Sequence, residues 1–350
     1  MLDLAWVRQE VAWCYGVNGN ESVDPVVLVK MMLLLFLDNI PSERELMAII
    51  AERLDYLWFL GYGLDDKIPD HSVLSKARAR WGKELFEQIF IRTVLQCVQA
   101  GLVNNERLHV DSSLIKADAA KASAQDTSPE LLQALRAAYQ HQESKLEERD
   151  DKAVNAKRFS PTDPDATLAR SGGGKPSDFS YKAHRTVDDA QGVITAVITT
   201  TGATGDSKQL SELLHEHEQN TGAQPKIAVG DQHYGSAENY RLCQMQGIVT
   251  HLKATRSDLE AKGIFTHDKF DYEEGYDRFK CPAGHYLYPY NVHRGVQMLI
   301  YRIEQVEFCT QCPLKEQCTR AKTGRMISRP LFYDLVAAAK AQAQSPEAWI

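Results

Sequence analysis

The first hundred residues combine apolar runs with helix-start patterns, and together these predict a helical domain. Asp24 and the proline after it precede a largely apolar run over residues 26–37. A capping side chain followed by proline at the first helical position is typical of a helix start. Residues 42–45 carry a second start, a Ser-x-x-Glu capping box. We therefore expect a helical N-terminal domain over residues 1–100. The apolar run is too short to cross a membrane, which takes about 20 residues.

After Gly101 the helical spacing gives way to alternation. Residues 108–115 alternate between apolar and polar side chains, which is typical of a strand. Residues 118–177 are rich first in Ala, Gln, Glu and Lys and then in Pro and Gly, so we expect an insertion there. The rest of this region predicts, in chain order, a β-hairpin over 179–201, a helix over 206–219, a strand over 227–231, a helix over 236–246 and a strand over 248–253. This order predicts a mixed-sheet core over residues 101–264 with helices between its strands.

The last third of the chain has a different character. Residues 265–330 are aromatic and basic and hold four clustered cysteines, which favours a separate cysteine-rich insertion. Residues 331–350 begin a further helix, with which the sequence ends. The expected fold class is therefore a helical N-terminal domain followed by a mixed α and β core.

Composition and charge narrow the class of protein. Hydrophobic residues make up 43% and charged residues 25% of the 350 positions, the balance of a globular chain. The net charge of −7 excludes a chain that is polybasic as a whole, although a local basic patch can still bind phosphate. The first residues carry no secretion signal, so we expect a cytoplasmic protein.

Two carboxylates are notable for their positions in the predicted strands. Asp111 lies within the first strand of the core, and Asp231 lies at the end of a later, short apolar strand. In open sheets with parallel strands, active groups gather beyond the strand ends. Carboxylate oxygens are the ligands that Mg²⁺ prefers, and paired ions cleave phosphodiesters. A single strand-end aspartate more often caps a turn, so the argument for a metal site depends on the pair.

The clustered cysteines form a second candidate metal site. Cys281, Cys309, Cys312 and Cys318 include one Cys-x-x-Cys pair, and His285 is a reserve ligand. Zn²⁺ favours four thiolate ligands, and a short Cys-x-x-Cys turn supplies two of them. An iron–sulfur cluster accepts a similar ligand set. The third alternative is four reduced thiols without a metal.

Several short motifs occur in order along nearly the whole chain. They are residues 24–33, 42–44, 58–61, 69–72, 109–117, 160–166, 181–184, 229–235 and 309–314. Taken together they resemble the bacterial insertion-sequence transposases of the DDE type that have a helical N-terminal domain and a cysteine-rich insertion. Several motifs in the same order along the chain identify a family far more specifically than any one motif does.

The resemblance implies a ribonuclease H-like catalytic core. Asp111 and Asp231 would be the first two members of the DDE triad, with Mg²⁺ or Mn²⁺ as the ion. The third member in the family is a glutamate within a Tyr-Arg-Glu-Lys-type signature after the cysteine insertion. That signature is not found in this sequence, since neither Asp334 nor Glu347 has the spacing. We therefore expect a truncated or decayed reading frame.

The implied function is metal-dependent DNA strand cleavage and strand transfer at insertion-sequence ends. The implied partners are double-stranded DNA, both the terminal repeats of the element and its target, and a second copy of the chain. The implied location is the nucleoid. Candidate DNA contacts include the basic residues of the insertion, which are Arg320, Lys322, Arg325 and Arg329. Two alternatives remain open: a metal-dependent nuclease of the same fold that joins no strands, and a catalytically inactive DNA-binding remnant held together by zinc.

Overall fold

The computed structural model describes residues 2–16, 22–134, 158–170, 176–253, 259, 262–293 and 298–343. The chain divides into two compact units, Met1–Gly101 and Leu102–Ile350. Residues 135–157 and 171–175, which belong to the predicted insertion, lie outside the described part.

The described part of the first unit is helical. Its helices are α1 (Val7–Glu10), α2 (Pro25–Leu37), α3 (Glu43–Glu52), α4 (Leu54–Leu60) and α5 (Ser72–Gln99). The side chains that they bury completely against one another include Val7, Met31, Leu46, Ile50 and Leu74. This apolar core is what stabilises helices of such modest length in water.

Both helix starts predicted from the sequence are confirmed. The Asp24 carboxylate accepts a hydrogen bond from the backbone N–H of Val26 at 2.9 Å, and the Ser42 hydroxyl accepts one from Glu45 at 3.1 Å. Each bond satisfies an N–H that the first helical turn would otherwise leave without a partner. No helix in the described ranges is long and apolar enough to cross a membrane.

The main sheet of the second unit is mixed. Its strands are β1 (Arg107–Lys116), β4 (Thr167–Ala169), β5 (Asp178–Asp188), β6 (Val193–Thr201), β7 (Ile227–Gly230) and β8 (Val249–Leu252). Between β1 and β4 in the chain, β2 (Gln125–Asp126) and β3 (Arg158–Phe159) form a separate two-stranded sheet. Strand β5 pairs antiparallel with β1, β4 and β6, whereas β1, β7 and β8 run parallel to one another. The order β5–β1–β7–β8 places β1 and β7 side by side at the centre of the sheet.

Helices cover this sheet between its strands. They are α6 (Leu210–Thr221) after β6 and α7 (Ala237–Met245) after β7. The predicted strands and helices of the core are confirmed within one or two residues, except that the helix expected from Asp206 begins with a short 3₁₀ turn and becomes α-helical at Leu210. The completely buried core residues include Leu108, Leu210, Leu213, Ala228 and Leu252.

A second, antiparallel sheet follows the core. Its strands are β9 (Asp271–Glu273), β10 (Arg278–Lys280), β11 (Tyr286–His293), β12 (Met298–Ile303) and β13 (Met326–Pro330), paired in sequence order. Two short helices, α8 (Val306–Thr310) and α9 (Lys315–Cys318), join β12 to β13. The last helix, α10 (Tyr333–Ala343), contacts β8 and α7 of the core. The sequence predicted the insertion but not its sheet.

Two histidines of α6 have opposite environments. His215 is exposed, whereas His217 is completely buried with Nδ1 2.7 Å from the Thr195 hydroxyl. Burial lowers the pKa of His217 to about 4, although the charges of Asp188 and Glu218 act in the opposite direction. The imidazole is therefore held neutral in the folded core.

This burial predicts that the core loses stability in acid. The unfolded chain takes up a proton on His217 near pH 6.5 and the folded chain only near pH 4, so stability is lost as the pH falls between these values. Between pH 7 and pH 5 the loss from this residue is about 2 kcal/mol. Urea unfolding at the two pH values measures it. The His217→Gln variant should show a smaller loss between them, whereas His215→Gln, the matched exposed control, should behave as the parent does. Equal pH dependence of all three proteins would contradict the assignment.

Candidate active site

The two aspartates singled out in the sequence lie on neighbouring parallel strands. Val110 of β1 is in register with Gly230 of β7, and Asp111 and Asp231 are the residues that follow each of them. Both side chains are exposed, that of Asp111 by 62%. The structure thus brings residues 120 positions apart to neighbouring positions of two adjacent strands. Asp231 directly follows the last residue of β7, whereas Asp111 lies inside β1.

A tight turn after β7 fixes the direction of Asp231. Its carboxylate accepts a hydrogen bond from the backbone N–H of His233 at 2.8 Å. Gly230 and Gly235 lie at the two ends of this turn, at positions where neighbouring atoms leave no room for a side chain. A Cβ at Gly230 would lie 2.8 Å from Val110 Cγ2, and a Cβ at Gly235 would collide with the carbonyl oxygen of Lys253. The two glycines allow the close approach that places Asp231 beside β1.

A third carboxylate, Asp206, lies below the same edge and was missed as a site residue. The sequence indicated only a helix cap for it. One oxygen, Oδ1, accepts a hydrogen bond from the Ser112 hydroxyl at 2.8 Å and lies 3.1 Å from Lys182 Nζ and 3.5 Å from His184 Nδ1. Lys182 also donates to the Thr204 carbonyl at 2.7 Å. Ser112 lies on β1, and Lys182 and His184 lie on β5. The contacts of Asp206 are therefore apparent only in the folded sheet.

The phenol of Tyr234 is buried among these carboxylates. Tyr234 is 1% exposed, and its hydroxyl, beside Ser112, has no hydrogen-bond partner of good geometry among the described residues. Burial raises the pKa of the phenol, and the charges of Asp206, Asp111 and Asp231 raise it further. The charges of all three carboxylates therefore act on one buried hydroxyl.

Two buried or half-buried bases neighbour the aspartates. Arg185, opposite Asp111 in the β1–β5 register, approaches its Oδ2 to 3.2 Å. His184 is completely buried, and burial lowers its pKa to about 4, with the charge of Asp206 opposing this shift and that of Lys182 adding to it. The site thus contains one fixed cation next to Asp111 and a neutral imidazole beneath it.

The clustered cysteines converge in the second sheet. Cys281, Cys309, Cys312 and Cys318 all line one small cavity. Burial raises the pKa of Cys318 to about 11, the other three cysteines raise it too, and Arg325 lowers it. Within the described ranges, however, no group of three or more His, Cys, Asp or Glu side chains has the arrangement of a metal site.

Backbone groups already surround two of these thiols. The N–H of His285 points at Cys281 Sγ at 3.3 Å, and that of Arg325 at Cys309 Sγ at 3.4 Å. The His285 ring itself stacks on Phe308 with centroids 4.3 Å apart. The reserve ligand is therefore engaged in packing.

Two of the four basic residues expected to contact DNA are structural instead. Arg325 is buried and donates to the backbone carbonyls of Cys318 and Phe265. Arg329 is largely buried beneath the rings of Tyr272 and Tyr333. The expectation was wrong for this pair because charge in a sequence does not reveal burial, whereas Arg320 and Lys322 are exposed as expected.

Of the two remaining acidic candidates, the structure describes only Asp334. Asp334 on α10 is almost fully exposed, and its nearest basic partner is Arg329 at 3.9 Å. Glu347 lies outside the described residues.

Comparison with known proteins gives a consistent result. Residues 1–80 match a family described as a transposase domain, and residues 110–296 and 280–349 each match a transposase DDE domain. No curated protein matches. The solved structures include a piggyBac transposase synaptic complex with hairpin DNA, which is similar over 99% of this chain and 67% of its own, at 11% identity. Its TM-score of 0.31 is too low to support an argument about the fold. The match over 110–296 spans more than half of the sequence, and the chain therefore belongs to the DDE transposase family.

Proposed function

We propose that Asp111 and Asp231 are the metal-binding carboxylates through which this DDE-type DNA transposase cleaves and transfers DNA strands. The observation that carries the proposal is the parallel register of Val110 with Gly230, which sets the two aspartates at neighbouring positions of adjacent strands. Exposure of both side chains leaves them accessible to a phosphodiester.

The residues present fit a hard divalent cation. The donors are carboxylate oxygens, which Mg²⁺ and Mn²⁺ prefer. The buried Tyr234 hydroxyl, beside Ser112, adds an oxygen in the same negative surroundings. When bound, such ions activate the attacking hydroxyl and stabilise the leaving oxygen. In this chain Asp111 and Asp231 would hold the ions, and the turn after Gly230 keeps Asp231 in place.

The sheet order supports a ribonuclease H-like core. Strands β6, β5, β1, β7 and β8 follow one another across the sheet, with β1 parallel to β7 and antiparallel to β5. Helices follow β6 and β7, and α10 contacts β8. In this arrangement β1 and β7 lie side by side, and each supplies one aspartate.

Arg185 and Asp206 have supporting roles in this proposal. Arg185 presents a guanidinium next to Asp111, where it would contact a DNA phosphate. Asp206 acts as a positioning residue, since its Oδ1 gathers Ser112, Lys182 and His184 beneath the edge.

The partners follow from the chemistry of the family. We infer double-stranded DNA, as terminal repeats and target, with two copies of the chain acting on it. Net negative charge makes the whole chain a weak phosphate binder, so contacts are expected from local basic residues such as Arg320 and Lys322.

We further propose a structural Zn²⁺ held by Cys281, Cys309, Cys312 and Cys318. Support comes from the donor set, because four thiols line one cavity and two of them already receive backbone N–H groups. The buried guanidinium of Arg325 supplies positive charge next to the thiols. The ligand set is the one that Zn²⁺ favours in structural sites.

Removing either carboxylate should abolish strand chemistry. We expect Asp111→Asn and Asp231→Asn each to lower cleavage of a plasmid carrying the element's ends by at least about 100-fold, because each amide removes one charged metal ligand. Exposed Asp118 provides the matched control, and Asp118→Asn should retain activity. Gel assays of cleaved and joined products read out both steps. If both variants cleave DNA as the parent does, Asp111 and Asp231 are not the metal ligands. If the parent cleaves the DNA ends but joins no strands, the chain is a nuclease.

Replacing Asp206 by asparagine should lower the free energy of unfolding, because it removes a largely buried carboxylate next to Lys182. Asp206→Asn leaves Lys182 largely buried without its carboxylate, so we expect about 3 kcal/mol lower stability to urea. It should also lower the pKa of His184 further, because Asp206 raises it. NMR titration of that imidazole separates this electrostatic role from a purely structural one. An unchanged His184 titration would contradict the role.

Purified protein should contain one zinc ion per chain. Cys312→Ser and Cys318→Ser should each lose the ion, since a site with four thiolates is weakened when one is removed. Cys97→Ser, in the helical unit, is the matched control and should keep it. Elemental analysis of the metal measures the outcome. Iron with visible absorbance would identify a cluster instead, and protein free of both metals would leave four reduced thiols.

A further inference from the structure

Four neighbouring strands of the main sheet carry charged residues side by side. In the spatial order β5, β1, β7 and β8, these residues are Arg185, Asp111, Asp231 and Lys253. Arg185 is opposite Asp111 in the antiparallel register, and Asp231 and Lys253 directly follow a residue pair of the parallel register of β7 with β8. We call these four residues the charged row. Its two carboxylates lie in the middle, with one basic residue on each side.

The backbone of Lys253 is held against the strand and the turn that carry Asp231. Its N–H donates to the Gly230 carbonyl at 3.1 Å, so the pairing of β8 with β7 extends to Lys253. Its carbonyl oxygen lies against Gly235, where no Cβ could fit. The Tyr240 hydroxyl donates to the carbonyl of the preceding residue, Leu252, at 3.0 Å. These contacts fix the position of Lys253 relative to Asp231.

Lys253 and Asp111 lie on the same, accessible face of the sheet. Val110 and Leu252 are buried, and a Cβ at Gly230 would lie 2.8 Å from the first and 2.9 Å from the second, so both point to the core face. Successive side chains alternate across a strand. Asp111 and Lys253, the next residues, therefore lie on the opposite face, and both are exposed.

The charges of the row favour an anion once a cation is bound. Its two basic and two acidic side chains sum to zero, so a divalent cation on the aspartates makes the row positive. The residues two positions away on the same strands share this face, and none of them is acidic: His109, Ser113, Ala183, Val187, Val229 and His251. Asp189, which lies 3.9 Å from His109, is matched by Arg107 at 3.7 Å.

The row is long enough to contact more than one phosphate of a DNA strand. Neighbouring strands of a sheet lie about 4.8 Å apart, so three spacings, roughly 14 Å, separate the backbones of Arg185 and Lys253. Arg185 already approaches Asp111 to 3.2 Å. Lys253 is the corresponding basic residue on the Asp231 side, where a lysine provides a compact charge on a flexible side chain.

We propose that Lys253 binds a backbone phosphate of the DNA strand beside the bond that is cut, on the Asp231 side of the site. With Arg185 on the other side, the DNA strand crosses the sheet from β5 to β8, and the bond to be cut lies over the two aspartates. Phosphate contacts of this kind set the position of DNA without reading its sequence. The inference rests on the proposed function and adds a substrate-binding residue to it.

Equilibrium binding of the full chain to a labelled duplex of the element's end tests the contact without any strand chemistry. Binding is measured in EDTA with the Asp111→Asn chain, whose row keeps two basic residues and one carboxylate. We expect adding Lys253→Gln to reduce the slope of affinity against salt, on logarithmic axes, by about 0.9, the value for one lost phosphate contact. Lys253→Arg keeps the charge and should keep the slope.

Cleavage of the same DNA with Mg²⁺ gives a second measurement, made with the parent and with single variants. Lys253→Gln should lower the rate roughly 10-fold, because it removes a hydrogen bond between charged groups. Lys253→Arg should stay within about threefold of the parent. Lys226 is the matched control, since it is also exposed but precedes β7, at the opposite end of that strand. Lys226→Gln should leave both the rate and the salt slope unchanged.

Three results would overturn the proposal. The first is an unchanged salt slope in Lys253→Gln, and the second is an equal loss of cleavage in Lys253→Arg and Lys253→Gln. The third is a lower Mg²⁺ requirement in Lys253→Gln with an unchanged slope, which would mean that the lysine only balances the charge of Asp231. The proposed function fails by a different result, because parental cleavage in Asp111→Asn and Asp231→Asn refutes the aspartates whatever the slope of Lys253→Gln.

Discussion

The parallel pairing of β1 with β7 is the constraint on which the candidate site depends. Hydrogen bonds between these strands set Val110 opposite Gly230, and the next residue of each strand is an aspartate. The absence of a side chain at Gly230 allows Val110 and Leu252 to close over it. Any slip in this register would move Asp111 away from Asp231, because a shift of one residue turns every side chain of a strand to the other face.

A charged group beneath that edge is stabilised by contacts from several directions. Asp206 is largely buried, and removing a carboxylate from water costs free energy unless charged and hydroxyl donors compensate. Lys182 and Ser112 provide these donors from β5 and β1. The network therefore links the turn before α6 to β1 and β5. Burial keeps His184 neutral, although the charge of Asp206 opposes this effect.

The second sheet separates two kinds of chemistry by strand alternation. One face buries Phe279, Leu287 and Tyr301 and continues towards the thiol-lined cavity. The other exposes tyrosines stacked with arginines. The first face explains how a short segment folds around its cysteines.

The sequence alone determined the helix caps at Asp24 and Ser42, the strands and helices of the core, and Asp111 and Asp231 as a candidate pair. These features are local, because capping, alternation and strand ends are set by neighbouring residues. Only the tertiary structure showed that Asp206 belongs beneath the site, since its partners lie on other strands and its local pattern is that of a helix cap. The tertiary structure also decided which basic residues are exposed: Arg325 is buried against backbone carbonyls, whereas Arg302 lies on an open face. Burial and strand pairing arise from contacts between distant segments, and for that reason charge and spacing along the chain could not specify them.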